Sequence, residues 1–480
     1  MNSKQSQKTK TKKDADAEYA EMTQGPLRSL IIRLAVPAII SNLVTTIYSL
    51  SDTFFIGRLG TAQSGAMGIA FSVMTVIQAM GFFFGNGAGN SMSRELGKHN
   101  DARAARLLSV GFVGALASGL VITVVGLATL HPLVRMLGAT PTIEPYAVTY
   151  LIPLLVAAPM MCGSFALNCL LRYQGLASLA MIGLVTGSVL NLVLEPVFIF
   201  LLHMGMFGAS LATAICQTIS FVILAVLGMT YGVVHFSLRQ CRITVPLARE
   251  IAGGGLPSMI RNAAGTLAVT CVNIAANPFG DAAIAGMAIV MRIMLGANSI
   301  MIGLGQGFQP VCGYNYGAGL HQRVMKGFWF CVKVATIAML AFAAIIWITA
   351  PDLVRVFRDD AAVVTVGTAA LRFQCCTLAL NGYNMMANTM QQTIGKTVAA
   401  SFLAFCRLGL FLAPIVLILP HVFGITGVEC AQCVSDVLTL ICTIPVHRRI
   451  LDGLIVNRAL SGPEGESHHY NGGNRRKLSI

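Results

Sequence analysis

The sequence predicts an all-α integral membrane protein with twelve transmembrane helices, arranged as two parallel six-helix repeats whose pseudo-two-fold axis runs along the membrane normal. The prediction rests on the apolar composition, on the recurrence of apolar segments, and on residue matches at one fixed offset. Of the 480 residues, 55% are hydrophobic and 11% charged, and the mean hydropathy is +0.72. This composition does not provide a water-soluble surface, so lipid is the main solvent.

Twelve apolar segments alternate with clusters of charged and turn-forming residues. Each segment approaches or exceeds the roughly 20 residues that a helix needs to cross a hydrocarbon core of about 30 Å. The predicted helices cover residues 29–51, 62–85, 107–130, 147–171, 178–202, 206–230, 250–276, 282–307, 328–350, 364–388, 398–419 and 425–446.

The loops on the two sides of the membrane differ in basic residues. Eleven follow even-numbered helices, against four on the other side. Because Lys and Arg are retained on the cytoplasmic side, we expect a multi-pass protein of the inner membrane with both termini in the cytoplasm. The eleven are Arg94, Lys98, Arg103, Arg106, Arg172, Arg239, Arg242, Arg249, Arg323, Lys326 and Lys396.

Polar stretches divide the chain into five parts. Residues 1–25 are predicted to be a disordered basic tail without a cleaved signal peptide. An N-lobe over 26–230 and a C-lobe over 250–450 each hold six helices, and a cytoplasmic linker over 231–249 joins them. Residues 451–480 read as a solvated cytoplasmic tail.

Residue matches at an offset of 220 indicate a duplication. Pro37 matches Pro257, and the offset persists through several helices, whereas an isolated glycine match would be chance in a chain with 48 glycines. Six helices per unit is an even number, so the repeats are parallel. The further matches are Gly60 with Gly280, Met67 with Met287, Gly85 with Gly305, Gly87 with Gly307, Gly97 with Gly317, Arg103 with Arg323, and Gly175 with Gly395.

Acidic residues within the predicted helices are candidates for function, because a charge deep in a bilayer costs several kcal/mol unless it is paired or hydrated. Asp52 lies near the outer end of helix 1, and pairing with Arg58 at the interface is the structural alternative. On helix 5, Asn191 and Glu195 are four residues apart and share a face that can bind a proton or a small cation. A buried polar pair that only fixes helix packing is the alternative there.

The duplication provides an internal control for these acids. The positions 220 residues after Asp52 and Glu195 are Val272 and Ile415. The acid site therefore belongs to the first half alone, and Asp436 in the second half is expected to pair with Arg407. Candidate cavity or charge-bearing residues of the second half are Arg292, Gln306, Asn315 and Asp436.

Several function classes find no support in the sequence. The basic residues lie between apolar segments and form no patch with interleaved aromatics, so nucleic acid is not an expected partner. Gly85–Gly89 and Gly303–Gly307 mimic dinucleotide loops, but each is expected to end an apolar helix and to serve close helix packing. No HExxH, Walker loop or paired CxxC is present, so an integral membrane enzyme is the distant alternative.

The chain resembles the multidrug and toxic compound extrusion (MATE) transporters. The resemblance spans about residues 25–450 and rests on Pro37, Asp52–Gly60, Asn191–Pro196 and Gly313–Gly319. It is closest to the bacterial branch that keeps its coupling acids in the amino-terminal lobe. In that branch the matching positions are Asp52, Asn191, the acid at 195 and Thr213.

The resemblance implies export of organic cations and other amphipathic drugs in exchange for inward H⁺ or Na⁺, by alternating access. It assigns ion coupling to Asp52, Asn191, Glu195 and Thr213, and a conformational hinge to Pro37. Many relatives have Asp where Glu195 stands, which leaves H⁺ and Na⁺ both open. No cofactor beyond the coupling ion is expected, and the expected state is a monomer in contact with membrane lipid.

A lipid-linked oligosaccharide flippase of the same superfamily is the nearest rival. It also needs two lobes and intramembrane charge, but its cavity should be strongly cationic. Arg261 and Arg292 favour the flippase, whereas the motifs in helices 1 and 5 favour the exporter.

Overall fold

The structure is a computed structural model that describes residues 16–237, 241 and 243–460. Within these residues it is helical and contains no strand. The sequence predictions for residues 1–15, for Arg239 and Arg242 of the linker, and for 461–480 lie outside the described residues.

The first half of the chain forms six long helices and two short ones. Pro196 has no N–H to donate to the helix ladder, and a π-helical turn, Val197–Leu201, directly follows it. The helices are α1 (16–24), α2 (Leu27–Gly57), α3 (Thr61–Gly97), α4 (Asp101–Ala128), α5 (Leu130–Met136), α6 (Glu144–Tyr173), α7 (Ala177–Pro196) and α8 (Gly205–Tyr231).

The second half repeats this order with more interruptions. The tenth span is broken at Ala379 into two helices, and a π-helical stretch, Cys406–Leu412, interrupts the eleventh. The helices are α9 (Val245–Ala276), α10 (Asp281–Gly317), α11 (His321–Phe357), α12 (Ala361–Leu378), α13 (Leu380–Thr393), α14 (Thr397–Phe405), α15 (Ala413–Ile418), α16 (Pro420–Phe423) and α17 (Ile425–Leu460).

The described residues contain eleven helical segments that are long and apolar enough to cross a membrane. Helix α9 has 32 residues but is more polar, since it carries Arg249, Glu250 and Arg261. With α9 the number of spanning helices is twelve, as predicted.

We call the membrane side on which α1 and the α3–α4 and α6–α7 loops lie the terminal side, and the opposite side the far side.

Matched glycines occupy matched backbone conformations in the two repeats. Gly60 and Gly280 precede α3 and α10 with φ of 143° and 88°, and Gly175 and Gly395 have φ of 88° and 85°. Residues with a side chain rarely adopt these φ values. Glycine is therefore required at the same turns in both halves.

The two repeats contact each other reciprocally, as a two-fold axis demands. A Cβ on Gly97 would collide with the carbonyl oxygen of Tyr314, and one on Gly317 would collide with that of Arg94, which is 220 residues before Tyr314. Gly317 would also approach Gly97 itself to 3.1 Å. Equivalent residues touch each other only near the symmetry axis, so the predicted pseudo-two-fold axis passes close to Gly97 and Gly317.

A second reciprocal pair of contacts joins helices farther from the axis. On α3, a Cβ at Gly87 would lie 3.1 Å from the Gly255 nitrogen of α9. The equivalent residues are Gly307 on α10 and Ala35 on α2, and a Cβ at Gly307 would likewise meet the Ala35 nitrogen. The close packing predicted for the glycine motifs is present, but their expected position at helix ends was wrong, because α3 and α10 continue to Gly97 and Gly317.

The boundaries of the two tails also differ from the prediction. Residues 16–24 form α1 instead of belonging to a disordered tail, because Met22 is fully buried and its carbonyl accepts a hydrogen bond of 2.9 Å from Asn315. Burial and the neighbouring Glu21 raise the pKa of Glu18 in this helix to about 7. At the other end, α17 continues past 450 because Leu451 packs into the core.

We expect Gly87→Ala to weaken the contact between α3 and α9. The added methyl group meets the carbonyl of Ile251, and overpacking of this kind costs about 1–3 kcal/mol. Gly68→Ala in the same helix is the control, because a Cβ there meets no heavy atom within 4 Å and Ala favours the helix. Thermal unfolding of the purified proteins should show a lower apparent Tm for Gly87→Ala alone. Equal values for both variants would contradict the interface.

Candidate functional site

The structure brings the two acids of the first repeat together. Asp52 on α2 is 1% exposed and Glu195 on α7 is fully buried, and their carboxyl groups lie close enough to influence each other electrostatically. The sequence separates them by more than 140 positions, and the packing of α2 against α7 makes them neighbours. Two adjacent carboxylates repel in an apolar site, so this arrangement is suited to hold a proton or a cation.

Polar groups from four helices surround the acids. The side-chain amide of Asn191 donates a hydrogen bond of 3.2 Å to the hydroxyl of Thr213 on α8. Two buried tyrosines, Tyr48 on α2 and Tyr150 on α6, bring their hydroxyls close to Thr213 and into the field of Asp52. The predicted residues Asn191 and Thr213 therefore lie beside the acid pair, together with two tyrosines that the sequence analysis did not identify.

The site has an excess of hydrogen-bond acceptors. Seventeen buried side-chain atoms of the described residues lack a hydrogen-bond partner, and six of them lie here. Such atoms are costly unless a proton, a cation or water satisfies them. Oxygen atoms are also the ligands that hard cations prefer. The six are the hydroxyl oxygens of Tyr48 and Tyr150, Oδ1 of Asp52, Oδ1 of Asn191, and Oε1 and Oε2 of Glu195.

Helical periodicity places these residues on common faces. Tyr48 precedes Asp52 by four residues, as Asn191 precedes Glu195, so each pair points in one direction from its helix. The spacing of Tyr48 and Asp52 was a usable signal for Tyr48. For Tyr150 on α6 the sequence carries no comparable signal, because only tertiary packing brings it to the acids.

The structural alternatives for the two acids fit the geometry less well. Arg58 lies over the ring of Phe54 at 4.6 Å, and Asp52 has no ion-pair partner among the described residues. The Asn191 amide donates its hydrogen bond to the Thr213 hydroxyl and not to Glu195. Neither acid is thus neutralised by the partner that the alternative assigned to it.

Two adjoining cavities lie beside the acid site and are lined mainly by the first repeat. The smaller measures about 40 Å³ and the larger about 80 Å³. Thr45, Gln78, Phe165 and Leu184 line both. The larger is also lined by Tyr48, which belongs to the group of residues around the carboxyl pair.

Helix α10 of the second repeat closes the smaller cavity. The side chain of Gln306, a predicted cavity residue, lines it and accepts a hydrogen bond of 3.0 Å from Asn42 on α2. The same cavity is lined by Arg172, which is 3% exposed and whose Nε and Nη1 atoms have no partner. From the sequence, Arg172 was predicted only to be one of the basic loop residues.

The remaining second-repeat candidates have different surroundings. Asn315 is fully buried and bonds to Met22, Val311 and Arg323, so it holds α1 in place and does not line either cavity. Arg292 is exposed. It precedes Ser299 by seven residues and therefore lies on the face of α10 that packs against α2 further along.

Asp436 has the structural partner that the sequence predicted. Its Oδ1 atom accepts a bond of 2.8 Å from Arg407 and one of 2.9 Å from Gln432. Its Oδ2 atom accepts one of 2.9 Å from Asn381. This acid is saturated with donors, in contrast to Asp52 and Glu195.

Pro37, the predicted hinge, lies within α2, which continues through it. Proline removes one backbone hydrogen bond from the helix interior, and its carbonyl accepts a bond of 2.9 Å from the Ser41 hydroxyl. Pro257 occupies the equivalent position in α9.

A helical membrane protein with two repeats and buried, unneutralised acids at one repeat has the architecture of a secondary transporter. The sequence profile of the MatE family matches the chain twice, over residues 37–197 and 257–418. The two matches start 220 residues apart and together cover about two thirds of the chain. The chain belongs to the MatE family.

Known proteins similar to this chain include two multidrug export proteins named MepA. The one from Staphylococcus saprophyticus is 25% identical over 432 residues, which are 89% of this chain and 95% of the relative. The one from Staphylococcus aureus is 26% identical over 449 residues, 93% and 98% of the two chains. A solved structure described as the outward-facing conformation of a multidrug resistance MATE family transporter has a TM-score of 0.86 at 25% identity, covering 92% of this chain and 99% of its own.

We expect the stability of variants to separate the two kinds of acid. Arg407→Gln leaves Asp436 buried without its cation, and breaking a buried pair on one side costs about 3–5 kcal/mol. Asp52→Asn removes an acid that has no donor, so it should leave the apparent Tm unchanged or raise it. Thermal unfolding checks both, and Arg407→Gln/Asp436→Asn should recover part of the loss. A larger loss for Asp52→Asn than for Arg407→Gln would contradict the distinction.

Proposed function

We propose that this protein exports organic cations and other amphipathic drugs in exchange for inward H⁺ or Na⁺, by alternating access. The observation that carries the proposal is the buried pair of Asp52 and Glu195, since Oδ1 of Asp52 and both carboxyl oxygens of Glu195 lack a hydrogen-bond partner in the described part of the chain. The names of the MepA relatives support drug export as the cargo class.

The coupling site consists of Asp52, Asn191, Glu195 and Thr213, with Tyr48 and Tyr150 as further members. A proton or Na⁺ relieves the repulsion of the two carboxyls, so ion occupancy favours whichever arrangement of α2 and α7 holds them close. Drug binding favours another arrangement, so each ligand lowers the binding affinity of the protein for the other. By thermodynamic reciprocity, the drug promotes ion loss as strongly as the ion promotes drug release.

The contacts between repeats support a two-state mechanism. On the terminal side, Arg103 pairs with Glu250 at 2.8 Å and Arg94 donates a bond of 2.6 Å to the Thr393 carbonyl. Toward the far side, the last hydrogen bond between repeats in the described residues joins Thr46 and Ser299. The repeats thus act as lobes that are closed on the terminal side, and transport requires these bonds to break.

We propose that the terminal side is cytoplasmic, so that the arrangement described is the outward-facing one. The excess of Lys and Arg in the loops of that side supports this orientation. The protein is then a multi-pass inner-membrane protein, and we propose that one chain is the functional unit because both lobes come from it.

The cavity lining weighs against the flippase alternative. Arg172 is the one basic residue among those that line the two cavities in the described residues. Arg261 donates to the amide oxygens of Asn388 and Gln392 instead. A site for an oligosaccharide pyrophosphate calls for a denser positive charge than this.

Energised efflux from proteoliposomes tests the exporter. We expect a fluorescent organic cation to be transported under an imposed H⁺ or Na⁺ gradient, and transport to fall at least tenfold in Asp52→Asn and in Glu195→Gln, because neither variant can exchange the ion. Imposing the two gradients separately identifies the ion.

Asp436→Asn in the Arg407→Gln background is the matched control, since it neutralises a buried acid outside the coupling site. Native transport rates in Asp52→Asn and Glu195→Gln would refute the coupling role. Absence of efflux under both gradients with the native protein would refute the exporter.

The hinge proposal is tested by comparing Pro37→Ala with Pro257→Ala. Both changes restore a helix hydrogen bond, but only α2 carries an acid of the coupling site. We expect Pro37→Ala to lower the transport rate severalfold with little change in drug affinity, and Pro257→Ala to have a smaller effect. Equal effects on the rate would show that Pro37 has no special part in coupling.

A further inference from the structure

A third cavity, larger than the two beside the acid site, lies outside the proposed transport path. It is a groove of about 870 Å³ on the terminal side, between the start of α2 and the first four turns of α11. Ligand pockets in proteins are commonly about 300–1,000 Å³. It shares no lining residue with the coupling site or with the two smaller cavities.

The groove combines basic groups with an apolar floor. Arg28, Lys326 and Lys333 contribute positive charge, and no acidic residue lines the groove. None of these three residues has an ion-pair partner among the described residues. The apolar lining consists of Pro26, Leu27, Met325, Trp329 and Phe330.

The depth of the groove matches the membrane interface. Helix α11 has 37 residues, so at 1.5 Å per residue it is about 55 Å long, against a hydrocarbon core of about 30 Å. About eight residues then project beyond the core at each end. Trp329 is the ninth residue of α11 and lies at the hydrocarbon boundary, where Trp is enriched. Lys333 is one turn deeper, and its long side chain can extend toward the headgroups.

One further polar atom in the groove lacks a partner. The Nδ1 atom of His321 is buried and has no hydrogen-bond partner among the described residues. Arg28 is also oriented within the groove, 5.9 Å from the ring of Phe330. Three cations around an apolar floor match a ligand with an anionic head and a hydrocarbon body.

We propose that this groove binds the phosphate headgroup of an anionic phospholipid. The phosphate contacts Arg28, Lys326 and Lys333, and the glycerol and upper acyl chains cover Trp329 and Phe330. Basic pockets between helices on the cytoplasmic side of a membrane recognise such headgroups. The lipid would connect the first turn of α2, in the first repeat, to α11 in the second. The proposal is independent of which cargo or ion is transported.

The two tryptophans of the chain provide the measurement. Trp329 lies in the groove, whereas Trp347 lies eighteen residues further along the same helix and is absent from the groove lining. Trp347→Phe leaves Trp329 as the sole reporter. The full-length protein is reconstituted into phosphatidylcholine vesicles in which a variable fraction of lipid is phosphatidylglycerol or phosphatidylcholine with brominated acyl chains, which quench nearby tryptophan. We expect brominated phosphatidylglycerol to quench Trp329 at a roughly five- to tenfold lower mole fraction than brominated phosphatidylcholine does.

Matched variants separate the groove from general attraction to anionic lipid. Lys326→Gln/Lys333→Gln in the Trp347→Phe background should bring the two lipids within twofold of each other. Trp329→Phe, which leaves Trp347 to report on lipid outside the groove, should show the same weak preference. Equal quenching of Trp329 by both lipids, or a preference that survives the lysine changes, would overturn the proposal. Displacement of the brominated lipid by millimolar inorganic phosphate would assign the groove to a soluble phosphate instead.

Discussion

The burial of two adjacent carboxyl groups without donors is the constraint on which the rest of the molecule depends. Asp52 and Glu195 lie on different helices, so holding them together costs electrostatic energy unless an ion is present. The helices that carry them must then be held by other contacts. For α7 these contacts are mainly with α8, and for α2 they are mainly with α10, which together with the contact of α3 and α9 forms the glycine-lined interface between the repeats. In the proposed mechanism, the site favours separation of its two acids and the interface favours closure, and this opposition supports two arrangements of the lobes.

The interface permits this because its contacts are backbone to backbone. Gly87, Gly97, Gly307 and Gly317 lack the side chains that would interlock the helices. Helices with small residues at their contacts approach closely and separate without having to repack large side chains. Specific closure on the terminal side is supplied instead by a few polar bonds such as that of Arg103 with Glu250. Breaking these bonds exposes charged groups to water, which lowers the cost of opening.

Most of the fold was predictable from the sequence, and the composition of the site only in part. The offset of 220 gave the duplication because turns and close contacts require glycine in both repeats, as Gly175 and Gly395 illustrate. The acids were identified because intramembrane charge is expensive. Tyr150 escaped identification because a buried tyrosine is common in a helix core and only tertiary packing aims its hydroxyl at Asp52. Asn315 was misplaced because its motif marks a helix end, and only the structure reveals α1 as the partner of its amide.

In the proposed mechanism, helix α2 is the physical link between the coupling site, the two cavities and the contact between the lobes. Its outer part presents Asp52 and Tyr48 to the acid site, its middle presents Thr45 to both cavities, and Asn42 bonds to α10 of the other repeat. A rotation or bend of this one helix therefore changes all three environments together, and no chain of intermediate residues is needed to transmit the effect. The equivalent helix α9 has Val272 in place of the acid. In the proposed mechanism, the duplication thus provides one helix with an acid that can respond to the ion and an equivalent helix without one.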